Sequence, residues 1–399
     1  MAGGARIAVV GAGVGGLTLA LALLRRGFEV EVFEQAGRLG EVGAGVQLSA
    51  NGTRALFHLG LEARIMASAF TPSEKRIRLW NTGQSWTAFD TGPRSVELYG
   101  SPYITLHRHD LHSALVAAVR AMAPDAIRLG ARCTGLDQDD GGVTLRFEDG
   151  RMARADLAVG ADGVHSAVRD ALFVQDEPRF TGVVAWRGVI RAERLHPRLM
   201  ASQSVTWIGP GGHVVHYPLR RGELMNFVSV VERNDWRVES WSVEGTVEEC
   251  LADYDGWHPD VLDLIRAMER PYKWALFGRE PMTSWSRGRA TLLGDACHPM
   301  LPFLAQGAVM AIEDGLVLAR CLEAHLPDHM RGFEAFERAR IERTGQAMRR
   351  SADNMRRYHD NALATPAEAE AYVEREWAED RVKSRYAWLF GYDAVTTPI

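Results

Sequence analysis

Four cysteines in 399 residues is few, and no two of them form a C-x-x-C pair. Cys133, Cys250, Cys297 and Cys321 are scattered. That excludes a familiar zinc pattern, argues against a disulfide framework and makes a reducing cytoplasm the default setting. No metal site is expected, because Cys297 and His298 are adjacent and lack partners. Charge bias is missing as well. A net charge of −5 with 24% charged residues gives no support for nucleic acid or an anionic membrane as partner. Internal repeats and low-complexity tracts are absent. One long apolar run exists: Ile7 to Leu24, 18 residues without a charge, between Arg6 and Arg25-Arg26. Its length would suit a marginal membrane span or a signal-peptide core. Four glycines between positions 11 and 16 interrupt it, and the amphiphilic segment that follows needs it as a sheet partner. Neither a targeting peptide nor a transmembrane span is therefore expected.

What is present is more specific. The length exceeds one small core, so two domains are the natural prior, and 46% hydrophobic residues is ordinary for a globular protein. Eleven tryptophans fit an aromatic-lined interior without proving one. Arg6 to Glu34 reads as a strand (Ile7 to Val10), a glycine turn, a helix, a second strand (Glu29 to Phe33) and then an acid. The turn Gly11-Ala12-Gly13-Val14-Gly15-Gly16 fits G-x-G-x-x-G, and Glu34 follows its last glycine by 18 residues. Gly11 permits the tight turn, Gly13 admits a pyrophosphate to the backbone, and Gly16 lets helix and strand pack closely. Free N–H groups at the helix start hold the phosphates, and the Glu34 carboxylate accepts from a ribose diol. Strand, helix, second strand and acid in register predict a dinucleotide site.

Further along, Gly37 to Gly45 reads as a loop and Asn51 to Leu59 as a helix. Lys75 to Glu97, with Ile77, Leu79 and Trp80, suggests strands of a second domain. His109 to Ala123 returns to a helix with Leu111, Leu115, Val116 and Val119 on its apolar side. Thr144 to Phe147 and Ala155 to Val159 are expected as strands. From Gly182 to Val231 the texture is antiparallel: Val183 to Ile190, Val205 to Ile208, His213 to Pro218 and Asn226 to Val231, broken by glycine turns. Gly209-Pro210-Gly211-Gly212 has no helix after it, so it is a hairpin turn and not a second nucleotide loop. An apolar strand returns at Ala290 to Leu293. From Glu334 onward Arg/Glu alternation reads as solvent-facing helix. The pattern predicts a nucleotide domain split over 1–72, 100–178 and 287–325. A substrate domain is expected at 73–99 and 179–286, and a helical region at 326–399.

Two more motifs follow buried strands: Ala158-Val159-Gly160-Ala161-Asp162-Gly163 and Gly294-Asp295-Ala296-Cys297-His298-Pro299. Glycine turn, Asp-Gly and Gly-Asp in that order resemble the group A FAD-dependent aromatic monooxygenases. Met300 to Asp314 (MLPFLAQGAVMAIED) and Trp388 to Pro398 (WLFGYDAVTTP) are similar to the 3-hydroxybenzoate 6-hydroxylase, salicylate hydroxylase and 6-hydroxynicotinate 3-monooxygenase branches. The resemblance spans nearly the whole chain; it is specific for the family and not for the substrate. It implies an α/β fold: a Rossmann-like FAD-binding domain of the glutathione-reductase type, an inserted, mainly antiparallel β-sheet and a C-terminal helical region. FAD would be bound, while NADH or NADPH visits as electron donor without a Rossmann domain of its own. Asp295 would fix the ribityl hydroxyls, Arg108 would contact the cofactor, and Gly307 and Ala308 would open a helix toward the flavin pyrimidine edge. Gly15, Gln35, Cys133 and Asp162 complete the expected contacts. Gln35 replaces the arginine common after the ribose acid, which leaves Arg38 as a substitute.

The resemblance also implies a reaction: hydroxylation of a phenolic or hydroxypyridine acid with O₂ through a flavin C4a-hydroperoxide. A flavin epoxidase or reductase acting on a larger substrate, or a non-catalytic redox sensor, are the alternatives. Strand alternation puts His213, Val215 and Tyr217 on one side and Val214, His216 and Pro218 on the other. His213 and Tyr217 match family positions that carry the same residues, and a histidine near pKa 6.5 is the natural base for a phenol. Gln47 and Phe303 stand where hydroxynicotinate enzymes carry histidine, and Pro302 replaces a polar residue of the 3-hydroxybenzoate type. The substrate contacts expected are Gln47, His213, Tyr217, Pro302 and Phe303, in a pocket less polar than either relative's. His298, beside the flavin, is read as structural. A homodimer is left open.

Overall fold

The computed structural model describes residues 4–40, 44–174, 177–236, 238 and 243–399. Ile7 to Val10 is apolar on both faces because its strand, Arg6–Val10, lies inside a parallel sheet. The order across that sheet is Ser286–Arg287, Ala290–Leu292, Leu157–Gly160, Arg6–Val10, Glu29–Phe33 and Ile127–Arg128. All neighbours are parallel except the edge pair Ser286–Arg287 and Ala290–Leu292. The glycine turn leads into the helix Val14–Leu24, which packs on the long helix Gly307–His325. Glycine sets how closely they approach. A Cβ on Gly315 would stand 2.7 Å from the Leu19 nitrogen, and one on Gly15 would stand 3.0 Å from the Ala311 Cβ.

The expected second sheet is present, with seven strands. Their order is Tyr272–Gly278, Arg179–Arg191, Leu224–Glu232, Gly212–Leu219, Gln203–Gly209, Glu74–Leu79 and Ser85–Asp90. Every pair is antiparallel but one: Glu74–Leu79 lies parallel to Gln203–Gly209. The sheet thus draws its last two strands from a much earlier segment. Its outer face, with Trp186, Val205, Trp207, Val214 and Phe227, is covered by helices Val247–Asp253 and Pro259–Ala267.

Three local expectations need correction. Glu97 lies on a helix, Pro93–Tyr99, and not on a strand; Pro93 suits its first turn and Gly100, at φ +72°, ends it. Ala155 to Val159 is two strands. Met152–Ala155 closes a small antiparallel sheet with Cys133–Asp139 and Gly142–Phe147, and the chain then turns at Asp156, whose carboxylate accepts from the Arg6 N–H at 2.7 Å. The C-terminal helices are not simply solvent-facing. His329–Tyr358 buries Phe333, Phe336, Arg340, Arg343, Ala347 and Ser351, an i, i+3, i+4 stripe concealed by the charged residues between them. Among the described residues no helix is long and apolar enough to cross a membrane.

That stripe carries a fully buried charge network. Arg340 donates to Glu313 at 2.6 Å and to Asp314 at 2.7 Å, all three side chains being inaccessible to solvent. Arg343 adds two bonds of 2.8 Å to Glu313, and Asn51 donates to it at 2.7 Å. Asp314 takes the Gly294 N–H at 3.1 Å and His298 Nε2 at 2.5 Å. Burial alone would raise both carboxyls. The charges of Arg343 and Arg340 around Glu313, and of His298 and Arg340 around Asp314, outweigh it and hold both below the usual range. Depressed carboxylates stabilise the fold above their unfolded pKa values, and that stabilisation is lost as pH falls through the folded ones. Arg340→Met should leave Glu313 with Arg343 alone and Asp314 with His298 alone, each one buried cation short, and cost about 3–5 kcal/mol near pH 7. Thermal unfolding should show the gap to wild type narrowing as pH falls toward 4; a gap independent of pH would mean that the arginine acts by packing alone.

Candidate active site

The cofactor end is built where the parallel strands stop. Gly11 has φ +104°, and a Cβ there would sit 2.4 Å from the Ala161 oxygen. A Cβ on Gly16 would meet the Gly11 oxygen at 2.1 Å. At Gly13 a Cβ would meet nothing within 4 Å, so this one glycine faces space rather than protein. Glu34 lies just beyond the strand Glu29–Phe33 and holds the loop with both oxygens: one accepts from Ala12 N–H at 2.8 Å, the other from Ala36 N–H at 2.9 Å. Gln35 and Arg38 are exposed beside it. Gly15 serves packing: a Cβ there would stand 2.8 Å from Leu293 Cδ1.

Opposite the loop, Asp295 sits on the turn Gly294–Ala296. Its side chain reaches solvent, yet protein surrounds it on most sides, which raises the carboxyl, while His298 and Arg108 draw it back down. Arg108, the first residue of helix Arg108–Met122, also bears electrostatically on Arg187 of the inserted sheet. The helix Gly307–His325 begins beside this carboxylate; a Cβ on Gly307 would lie 3.9 Å from Asp295 Oδ1. Gly307 and Ala308 occupy the first turn, whose N–H groups have no acceptor within the helix. An open glycine at one helix start, a projecting carboxylate and a second helix start fit a ligand with phosphates and hydroxyls. Asp162 and Cys133 fit less directly. Asp162 spends its oxygens on Ser166 Oγ at 2.5 Å and Val168 N–H at 3.1 Å, capping the helix Ala167–Leu172. The Cys133 thiol is half-buried, raised by that burial, and bonded to the Gly135 oxygen.

The inner face of the inserted sheet supplies the other wall. Tyr217 lies against Gly45, where a Cβ would touch its ring at 2.7 Å, and Asn226 accepts from Gly45 N–H at 2.6 Å. Burial lifts the Tyr217 hydroxyl above its ordinary value, so it stays protonated. Gln47 is buried and accepts from Tyr103 at 2.8 Å and from Ser204 at 3.2 Å. His213 is buried between the rings of Phe303 and Tyr358, at 5.3 and 5.1 Å, on the same side as Tyr217. Pro302, next to Phe303, is exposed. Val214 and His216 face the outer helices. Burial pushes the His216 ring down to about 3, so it is neutral, and neither ring nitrogen has a partner among the described residues. His298 is tied to Asp314 inside the charge network, away from any proton-transfer role.

Two features were not read from the sequence. His213 Nδ1 bonds His359 Nε2 at 2.7 Å, from the end of a helix 146 residues later, and no local pattern announces that. Lys75 is the other. It pairs with Ser204 on the inner face, and its ammonium has no ion pair or hydrogen bond among the described residues. Burial pushes it down to about 8. A lone lysine in the alternating set Lys75, Ile77, Leu79 was the available signal.

A family model described as FAD binding domain matches residues 5–361. The chain belongs to this FAD-binding-domain family. It is 40% identical over 389 residues to a 3-amino-4-hydroxybenzoate 2-monooxygenase of Streptomyces platensis, covering 98% of this chain and 96% of that one. It is 36% identical to a 3-hydroxybenzoate 6-hydroxylase of Polaromonas naphthalenivorans, covering 97% and 96%. Among solved structures it resembles Klebsiella pneumoniae HpxO complexed with FAD and uric acid, with TM-score 0.84, 25% identity and coverage of 96% and 98%. A salicylate hydroxylase substrate complex gives TM-score 0.79 at 26% identity, covering 98% and 96%. The expected fold class, FAD as cofactor and FAD-dependent aromatic hydroxylase activity are borne out.

Because Gly13 is the one glycine of the turn that faces open space, Gly13→Val should fold and melt like FAD-free wild type but purify without FAD. Gly16→Val, by contrast, should destabilise the fold itself. Wild-type FAD content in folded Gly13→Val would show that the phosphates lie elsewhere.

Proposed function

We propose that this enzyme hydroxylates a phenolic aromatic acid, holding the carboxylate at Lys75 and the phenol at His213. The observation that carries the reading is the unpartnered Lys75 ammonium on the same sheet face as His213, close enough to lower the basicity of that imidazole. Burial disfavours the charged form of this amine, and an anion bound against it would offset that penalty. The relatives' names give the same two groups, a carboxylate and a ring hydroxyl, in 3-amino-4-hydroxybenzoate and 3-hydroxybenzoate.

When bound, FAD supplies the redox chemistry, taking electrons from NADH or NADPH and activating O₂. The chain does the rest. Gly11, Gly13, Glu34 and Asp295, with the helix starts at Val14 and Gly307, would hold the cofactor. Gln47, Ser204 and Tyr103 form a closed hydrogen-bonded group beside Lys75, with Tyr217 near it, and orient the ring. Phe303 and Tyr358 keep water from His213. His213 takes the phenolic proton, because an electron-rich ring is needed for oxygen transfer. The three buried thiols and half-buried Cys133 suit a reducing cytoplasm, where we place the enzyme.

Lys75→Met should raise KM for carboxylated phenols by about 30-fold or more, the effect of losing one member of a desolvated ion pair. The matching phenolic amides should be affected little, and equal losses on acid and amide would remove Lys75 from the carboxylate role. His213→Ala should lower hydroxylation by ~10²–10⁴-fold, a typical general-base contribution, with FAD retained. NAD(P)H would still be oxidised, with H₂O₂ replacing product. Undiminished coupling in His213→Ala, with damage from His216→Ala instead, would assign the base to the opposite face.

A further inference from the structure

The environment of His213 poses a problem for a base. Burial, the neighbouring His359 and Lys75 all disfavour its protonated form, holding the imidazole well below its ordinary pKa. A proton accepted and kept there would create a buried cation beside a lysine. The hydrogen bonds offer a way out. Beyond the 2.7 Å bond from His213 Nδ1 to His359 Nε2, His359 Nδ1 bonds Glu232 Oε1 at 3.0 Å. The Glu232 side chain is 54% exposed, whereas that of His359 is 2% exposed. The chain therefore runs from the inner sheet face to solvent. Glu232 ends the strand Leu224–Glu232 and its N–H donates to the Gly211 oxygen at 2.8 Å. Gly211 N–H in turn donates to the His359 oxygen at 3.3 Å, so the hairpin turn fixes both ends of the chain.

We propose that His359 and Glu232 form a proton exit for His213, setting its tautomer and carrying the substrate's phenolic proton to solvent. The carboxylate is acceptor-only, so it requires the proton of His359 on Nδ1. Nε2 of His359 is then a lone pair and accepts from Nδ1–H of His213. His213 is left with its lone pair on Nε2, which has no hydrogen bond among the described residues. As the phenol gives its proton to His213 Nε2, the Nδ1 proton passes to His359 Nε2 and the His359 Nδ1 proton passes to Glu232. Phenolate and a carboxylic acid result, both rings stay neutral, and Glu232 releases the proton to water. Reprotonation of the product along the same path restores both tautomers. His359 and Glu232 are positioning residues here, since they act through His213. The other groups facing the pair are Lys75 and Tyr358, whose hydroxyl burial raises; Asp360, next to His359, is turned to the Ala362 N–H.

This inference rests on the phenolic substrate proposed above, and its test reads ionisation directly. The probe is 4-hydroxy-3-nitrobenzoate, whose phenolate is coloured and whose phenol is not, bound to FAD-loaded enzyme across a pH series. Wild type should ionise the bound probe at lower pH than Glu232→Gln or His359→Gln, by about one unit, equivalent to tenfold in the ionisation constant. Glu232→Gln keeps an oxygen for His359 Nδ1 but cannot take its proton, and its surface position spares the fold. If both variants bind the probe and ionise it as wild type does, the relay is wrong and the proposed function stands. If wild-type enzyme binds neither this probe nor any other carboxylated phenol, the proposed function fails and the relay with it.

Discussion

Arg340 between Glu313 and Asp314 is the interaction on which the site's geometry depends. The two carboxylates lie near the middle of the helix whose first turn meets Asp295. Through Asp314 they fix the Gly294 turn that presents Asp295, and through Glu313 and Asn51 they reach the Ala50–His58 helix. Asn51 also donates to Gln306, which donates to Ser49 at 2.9 Å, so the start of the helix is braced sideways. Arg340 and Arg343 belong to the helix that ends at His359. One buried cluster thus ties the Gly294 turn to the start of the helix Gly307–His325 and anchors the helix that ends at His359, the hydrogen-bond partner of His213. Replacing such a cluster with apolar residues is often neutral in stability; here it would also disconnect four separate segments of the site.

The glycine turn and its acid were legible in the sequence because their constraints are local. Gly11 and Gly16 are demanded by contacts within a few residues of the turn or across one neighbouring strand, and Glu34 closes the same loop. The alternation of the His213 strand also survived, since its two faces meet different surroundings, Phe303 and Tyr358 on one and the helix-covered cluster on the other, which leaves little freedom of register. What escaped was set by distance. Arg340 and Arg343 look like surface residues because only their i, i+3, i+4 relation to Phe333 and Phe336 distinguishes them. Lys75 becomes an inward group only once its strand lies beside Gln203–Gly209, a parallel pairing that no turn signal encodes. His359 has no sequence cue at all.

The polar groups of the inner face divide into two kinds. Gln47 Oε1 accepts from both Tyr103 and Ser204, which links the three into one bonded group of the wall. Among the described residues, Lys75 and His213 Nε2 have no hydrogen-bond partner. The rings around His213 are those of Phe303, Tyr358 and His359, so a ligand that does not meet Nε2 leaves a group of this buried histidine unmet. Under the proposed function this favours a ring with two correctly spaced polar substituents, because an unmet buried group costs more than a made bond gains.

The parallel pairing of Glu74–Leu79 has a further consequence, for biosynthesis. The early hairpin Glu74–Asp90 leaves the ribosome well before the strand that receives it, and His213 precedes His359 by 146 residues. At ~5–20 residues per second, roughly 7–30 s separate the last two. During that interval the inner sheet face, with Ile208, Val230 and Trp274, has no C-terminal helix to cover it. The nascent chain therefore exposes an uncapped apolar sheet face, the kind of surface on which chaperones act.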